Sequence, residues 1–248
     1  MTYFICDADS IAYQACCCSK DKDEEGFERD LDVVIDKINT AVSWMLDELQ
    51  ESMGVDCYKL VVGTPYNFRK IIYPQYKANR TSPKPALLGD ALGYMVKELN
   101  AFSSPYLEAD DLVLGIKRKL EESLENNVVV GFLDKDLLQD EGTYFDYYYN
   151  RKERLVTVSQ KQAVQNFWCS MLTGDKADNI LTKKGIGIKT AQKILGDADN
   201  HFTALRKVYP KYLEWFGRKG RERFMLNYRL LRMVTHKVPT PETFEMVI

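Results

Sequence analysis

Asp7 and Asp9 stand two residues apart in FICDADS, and Asp134 and Asp136 repeat that spacing in LDKDLLQ. Each pair follows an apolar run, 3–6 and 128–133, that reads as a buried strand. On an extended chain a spacing of two keeps both carboxylates on one side. At the carboxyl edge of a parallel sheet they would stand where open α/β folds hold ligands. Glu108, Asp110 and Asp111 open the helical stretch EADDLVLGIKRKL, and Asp175 and Asp178 lie three apart in GDKADNI, a spacing that shares one face if helical. Any one of these acids alone reads as a cap or turn residue. Together they form four clusters at element edges. Converging in one cleft, such carboxylates would repel one another and hold raised pKa values unless a cation neutralised them. Oxygen donors without His or Cys select Mg²⁺ or Mn²⁺ over Zn²⁺. Two such ions about 4 Å apart can activate water and stabilise the leaving oxygen of a phosphodiester.

Two cationic segments complement the acids. In KKGIGIKTAQKIL, residues 183–195, Gly185 and Gly187 precede a helix carrying Lys189 and Lys193. Backbone N–H groups at that helix start, backed by lysine, suit a phosphate of a nucleic-acid backbone. The apolar frame of Ile186, Ile188, Ala191, Ile194 and Leu195 fits a helix–hairpin–helix. YPQYKANR, residues 73–80, combines Tyr73 and Tyr76 with Lys77 and Arg80, which offers base stacking beside phosphate pairing.

The elements that must position these residues follow from apolar patterning. Strands are expected over 3–6, 58–62, 128–133, 143–149 and 155–158, and helices over 32–49, 87–102 and 110–125. That alternation implies an α/β fold with a mostly parallel sheet covered by helices. Beyond about residue 160 the pattern becomes helices with glycine-rich turns, so a core of 1–160 and a helical region of 161–248 are expected. The acidic run 21–25 reads as a solvated loop. The 248 residues carry a net charge of −2, yet residues 183–237 hold an excess of ten positive charges, leaving −12 on the remainder. Such asymmetry suits a basic surface for a polyanion beside an acidic site. No apolar run reaches the length of a membrane span, the first residues read as a strand and not a signal peptide, and a cytoplasmic protein is expected. The cysteines, Cys6, Cys16, Cys17, Cys18, Cys57 and Cys169, form no CxxC pair and read as reduced thiols. His201 and His236 are lone histidines without an assigned role.

Taken in order, FICDADS, YPQYKANR, LEADD, LDKDLLQ and LTGDKADN with GIGIKTA resemble the motifs of the 5′-nuclease or flap endonuclease superfamily, above all its short phage-type 5′→3′ exonucleases. The resemblance spans most of the chain. It implies a PIN-like α/β core, 1–160, with a C-terminal helix–three-turn–helix subdomain. It implies metal ligands at Asp7, Glu108, Asp110, Asp111, Asp134, Asp136, Asp175 and Asp178, with Lys77 and Arg80 near the scissile phosphate and Tyr76 stacking on a terminal base. Duplex contacts would come from Lys84, Lys183, Lys184, Gly185, Gly187, Lys189, Thr190 and Lys193, with a K⁺ ion held near the hairpin. The implied cofactors are two or more Mg²⁺ or Mn²⁺ ions. The implied substrate is duplex DNA with a 5′ end, nick, gap or flap, or the RNA of an RNA·DNA hybrid, and the product keeps a 5′-phosphate. A monomer in the cytoplasm, of the host if phage-encoded, is expected, with a separate polymerase or single-strand-binding protein as partner.

Two features depart from the family pattern. Thr64 stands where many relatives carry an Asp after the second strand, and Asp9 could compensate. Only 27 residues separate Arg80 from Glu108, with Pro83 and Pro85 among them, which leaves little for a two-helix arch. An exonuclease acting at duplex ends therefore ranks above a structure-specific flap endonuclease. A non-catalytic duplex-binding protein and a PIN-type ribonuclease are the other readings. The interleaved Tyr209, Tyr212, Trp215 and Phe224 of the basic region read as core.

Overall fold

The computed structural model describes residues 1–17, 26–124, 127–147 and 155–233. The acidic run 21–25, Cys18, His236 and the end of the strand expected over 143–149 lie outside them. The chain forms β1 (Thr2–Asp7), α1 (Asp9–Ala15), α2 (Leu31–Met53), β2 (Cys57–Val61), α3 (Phe68–Ile72), α4 (Leu88–Lys97), α5 (Ala109–Leu124), β3 (Asn127–Phe132), β4 (Gly142–Asp146), β5 (Leu155–Val158), α6 (Gln160–Thr173), α7 (Ile188–Leu195), α8 (His201–Phe216) and α9 (Gly220–Leu231), with a 3₁₀ turn at Lys135–Gln139. No described helix is long and apolar enough to cross a membrane.

Two compact units result. The first comprises Met1–Tyr66, Ser82–Leu133 and Thr143–Val156, and the second Asn67–Thr81, Asp134–Gly142 and Thr157–Ile248. The long final segment of the second unit begins close to residue 160, but two earlier stretches also belong to it: YPQYKANR and the turn after β3. Sequence order hides this, because those stretches are short and each lies between elements of the first unit.

The five strands run in the order β2-β1-β3-β4-β5. β1 pairs in parallel with β2 and β3, and β3 with β4. β1 and β3 are central, so both their faces are covered and their sequences read as continuous apolar runs. Phe4, Cys6, Leu60, Val62 and Val129 join one core with α1, α2 and α4. α5 packs against β1, β2 and β3, where Ile5, Val61 and Val130 are also buried. α2 shows how local sequence sets its helix: Asp30 accepts from Asp32 N–H at 2.9 Å, and Val34, Ile38, Val42, Met45 and Leu49 form its buried stripe. α4 is shorter than expected. Phe102 has left it to exchange backbone bonds with the end of β2, donating to Leu60 and accepting from Val62. Ala91 and Met95 tie α4 into the core, so it covers the first unit and is not a free arch.

The second unit is held by aromatic packing. Trp168 stacks near Phe224, Phe224 stacks near Tyr228, and Tyr212 meets Phe224 edge-on. Tyr212 and Phe224 are fully buried, while Tyr209 and Trp215 are half-buried against the same core. Asn227, 1% exposed, donates to Leu181 O at 3.2 Å and to the Tyr212 hydroxyl at 3.0 Å, and that hydroxyl donates to Met171 O. One amide thereby ties together α9, α8, α6 and the turn before α7. Because its removal strands buried polar groups, Asn227→Leu is expected to lower stability by about 1–3 kcal/mol. Urea denaturation followed by tryptophan fluorescence measures this, and an unchanged midpoint would remove Asn227 from the account.

Candidate nuclease site

In the first unit Asp7 closes β1 and is 9% exposed, with its Oδ1 accepting from Asp9 N–H at 3.1 Å. This is an Asx-type turn that starts α1, whose preceding Ala8 supplies no side-chain cap. In the second unit the arrangement recurs: Asp134 Oδ1 accepts from Asp136 N–H at 3.0 Å and starts the 3₁₀ turn. The repeated D-x-D spacing thus has a local cause, since the first acid fixes the backbone that carries the second. Asp9 is aimed elsewhere. Its Oδ1 accepts from Gly63 N–H at 2.8 Å, and a Cβ on Gly63 would lie 2.7 Å from Asp9 Oδ2. Glycine at 63 is what lets a carboxylate approach the backbone beside Thr64. Sequence alone gave no sign of this contact.

Glu108 precedes α5, and Asp110 and Asp111 lie in its first turn, where acids complement the helix dipole. Asp111 is 1% exposed and accepts from Glu108 N–H at 3.2 Å, so its carboxylate also holds the helix start. The sequence missed Tyr147, a buried residue whose hydroxyl donates to Asp7 O at 2.6 Å. Burial, then the neighbouring Cys6 and Asp7, push its pKa well above the usual tyrosine value. It therefore braces the end of β1 as a neutral phenol.

In the second unit Asp175 and Asp178 do not share a helical face. They occupy a turn closed by the Asp175–Ile180 bridge, with backbone bonds of 2.9 and 2.7 Å. Asp175 Oδ1 accepts from Ala177 N–H and Asp178 N–H, which favours a turn over a helix. YPQYKANR lies along this turn. Asn79 donates to Lys176 O, and Asn179 donates to Gln75 O. Tyr76 is 4% exposed within the core of this unit, and its hydroxyl donates to Asp178 at 2.8 Å. That burial corrects the expectation of a base-stacking platform: the ring is already packed. Lys77 and Arg80 keep 23% and 54% of their side chains exposed.

Electrostatics mark the same unit. Burial first, then the charges of Asp134, Asp175 and Asp178, push the Asp136 carboxyl from 3.8 to about 7, while Lys135 opposes the shift. Among the described residues no group of three or more His, Cys, Asp or Glu side chains forms a ready-made metal cage. The donors are nonetheless all carboxylate oxygens, and the charge crowding at Asp136 is the kind a hard divalent cation relieves.

The glycine-rich segment is open. Gly185 adopts φ +87°, which favours glycine, and Gly187 caps α7 without a side chain. Lys183, Lys184, Lys189, Thr190 and Lys193 are all exposed around it. Ala191 and Leu195 are buried, but Ile188 is 54% exposed and so lies outside the apolar frame expected for it. Lys84, in the first unit, is exposed as well.

A family model described as 5′-3′ exonuclease, N-terminal resolvase-like domain, matches residues 2–168. The chain belongs to this 5′-3′ exonuclease family. The matched stretch contains both D-x-D turns, Lys77, Arg80 and the start of α5, and stops before Asp175 and the glycine turn. Over 197 residues the chain is 27% identical to DNA polymerase I of Borreliella burgdorferi, a match covering 72% of this chain and 21% of that protein. It is 25% identical over 187 residues to the 5′-3′ exonuclease of Buchnera aphidicola subsp. Acyrthosiphon pisum, covering 67% of this chain and 64% of that one. The chain spans about a fifth of the length of the DNA polymerase I relatives it matches. In fold it is similar to a T5 5′-exonuclease with divalent zinc bound, with TM-score 0.66, 19% identity and coverage of 93% of this chain and 89% of that one. A bacteriophage T5 flap endonuclease in a pseudo-enzyme–product complex with DNA and metal ions aligns with TM-score 0.64 and 18% identity, again over 93% and 89% of the two chains. The five-stranded sheet with its flanking helices is the fold these neighbours share.

In metal-free family member, Asp136 is expected to titrate near 7, and Asp134→Asn to lower that value by removing the largest repelling charge. Carboxyl ¹³C chemical shifts followed against pH check this. A midpoint near an ordinary aspartate value in the unaltered chain would contradict it.

Proposed function

We propose that the chain is a divalent-metal-dependent 5′→3′ exonuclease that hydrolyses phosphodiesters from 5′ ends, nicks or gaps of duplex DNA. The observation that carries this reading is the crowded charge around Asp136, set in the same unit as half-buried Lys77 and exposed Arg80. An acid cluster calls for a cation, and a cationic pair beside it calls for an anion. A metal-bound phosphodiester is both.

In this reading Asp134, Asp136 and Asp175 hold one Mg²⁺ or Mn²⁺ ion, and Asp7, Glu108 and Asp110 supply donors for a second, with Asp111 orienting the start of α5. When bound, such ions lower the pKa of water and offset charge on the leaving oxygen. Lys77 and Arg80 pair with the non-bridging oxygens of the scissile phosphate and stabilise charge as it grows. Backbone N–H groups at Gly187 and the start of α7, with Lys183, Lys184, Lys189 and Lys193, grip a duplex phosphate, and K⁺ is the ion proposed at this turn. Phosphate contacts of this kind make binding steeply salt-dependent. RNA of an RNA·DNA hybrid offers the same phosphates and is included in the proposed substrate range.

Flap endonuclease action is the second reading, favoured by the fold shared with the T5 flap endonuclease. Against it stands α4, the helix between Arg80 and Glu108, which is packed into a core instead of forming an arch. A Mg²⁺-started digestion of a duplex with a 5′ flap, labelled at its 5′ end, separates the two. Mononucleotides from the first time point are expected, and flap-length products would reverse the ranking. Arg80→Ala is expected to slow hydrolysis by about 10²–10³-fold. No digestion of any 5′-ended substrate with Mg²⁺ or Mn²⁺ would overturn the reading.

A further inference from the structure

We infer that Tyr66 and Tyr106 form a stacking platform for the nucleobase of the 5′ nucleotide that the enzyme removes. This rests on the nuclease reading and names the part of the substrate that the first unit recognises. Both tyrosines belong to that unit. Tyr66 is 77% exposed and Tyr106 50%, whereas the Tyr76 ring is buried in the core of its own unit. Each lies on a loop at the carboxyl edge of the sheet. Ala8 N–H donates to Val61 O and Gly63 N–H to Asp9 Oδ1, both at 2.8 Å, so the loop after β2 is tied to the turn after β1. The same loop abuts the start of α5: a Cβ on Gly63 would lie 3.4 Å from Ala109 N. Tyr66 stands three residues after Gly63, and Tyr106 three before Ala109, at the edge that carries Asp7, Glu108 and Asp110.

Scattered exposed aromatics are ordinary, but two on abutting loops beside an acid site form a surface. Tyr106 carries the stronger signal. Its φ of +70° lies in the left-handed region, where a bulky residue is an outlier that costs stability. Burial does not offset that cost, since half of the side chain is exposed. Glycine would relieve the strain, so a tyrosine held there points to a task for its ring outside the fold. Tyr66 is fixed differently: the Thr64 hydroxyl donates to Tyr66 O at 2.8 Å and holds the backbone that carries the ring. Thr64, which departs from the family's pattern of acids, thereby acquires a role. The occupant follows from the chemistry of the edge. Its carboxylates call for a cation and, through it, a phosphodiester, and the apolar face attached to a phosphodiester is a base. Every base has such a face, so stacking accepts all of them without reading their hydrogen-bonding edges. The platform therefore takes a nucleotide of any sequence and disfavours a sugar without a base.

The test compares two duplexes, each with one unpaired 5′ nucleotide, identical except that one carries a base there and the other an abasic site. With Mg²⁺ the unaltered chain is expected to release the base-bearing nucleotide about fivefold faster or more. In the double variant Tyr66→Ala, Tyr106→Gly the two rates should converge, while Tyr66→Phe with Tyr106→Phe should keep the difference. Tyr106→Gly alone should raise the thermal midpoint by about 2–4 °C, because the left-handed backbone is relieved. A base preference that survives in the Ala/Gly variant, or a midpoint lowered by Tyr106→Gly, would overturn the proposal. Fluorescence anisotropy of the uncut duplexes, with Ca²⁺ as the hard cation on the carboxylates, makes the same comparison in the unaltered chain without hydrolysis. Binding of the base-bearing duplex tighter by about fivefold or more is expected, and equal binding would overturn the proposal. Absence of hydrolysis of either duplex would sink the nuclease reading, while the binding comparison would still decide the role of the two tyrosines.

Discussion

Like charge held at close range is the constraint to which each unit answers. A carboxylate with carboxylate neighbours and little water is costly to ionise, and a fold can respond by donating N–H groups, supplying cations or keeping a proton. All three responses occur in the second unit. Asp134 and Asp175 take backbone N–H donors, Asp178 takes Tyr76, Lys77 and Arg80, and Asp136 keeps its proton up to about 7. The first unit answers with N–H donors at Asp7, Asp9 and Asp111, and braces β1 through a phenol that stays neutral.

These responses explain otherwise unrelated local features. Gly63 leaves room for Asp9, the turn at Asp175 replaces the helix its spacing suggested, and Lys77 accepts a left-handed backbone. The scaffold behind the second unit's acids is equally specific. Arg69, 1% exposed, donates to Leu230 O and Arg232 O, and Gln139 donates to Leu231 O, so the last carbonyls of α9 anchor both α3 and the turn carrying Asp136. A helix end leaves carbonyls unpaired, and here two segments remote in sequence satisfy them.

The sheet was legible in the sequence because β1 and β3 are buried on both faces, which leaves uninterrupted apolar runs that end in Asp. α2, α5, α7 and the open glycine turn were legible for similar reasons: strong periodicity, a capping residue, a Gly pair. What sequence reasoning could not reach were contacts between residues far apart in the chain. Tyr76 looked like an exposed platform because its neighbours are Gln75 and Lys77, yet its hydroxyl meets a carboxylate 102 residues away. Tyr147, Arg69 and the Gly63 contact of Asp9 escaped because a lone tyrosine, arginine or glycine carries no periodic signal. The helix expected over 87–102 ran too far because Phe102 is apolar in either role, and pairing with the end of β2 claimed it.

The central claim is that this chain keeps unfavourable negative charge in place for a divalent cation. A folded-state pKa raised to about 7 means that Asp136 favours the fold fully below about 4, its unfolded value, and loses that contribution as pH rises through 7. The most direct measurement is thermal unfolding of the metal-free chain at about pH 5 and about pH 8, with and without Mg²⁺. Mg²⁺ should raise the midpoint by several degrees at the higher pH and by much less at the lower, because a bound cation replaces the proton. An equal shift at both values, or none at either, would contradict the account.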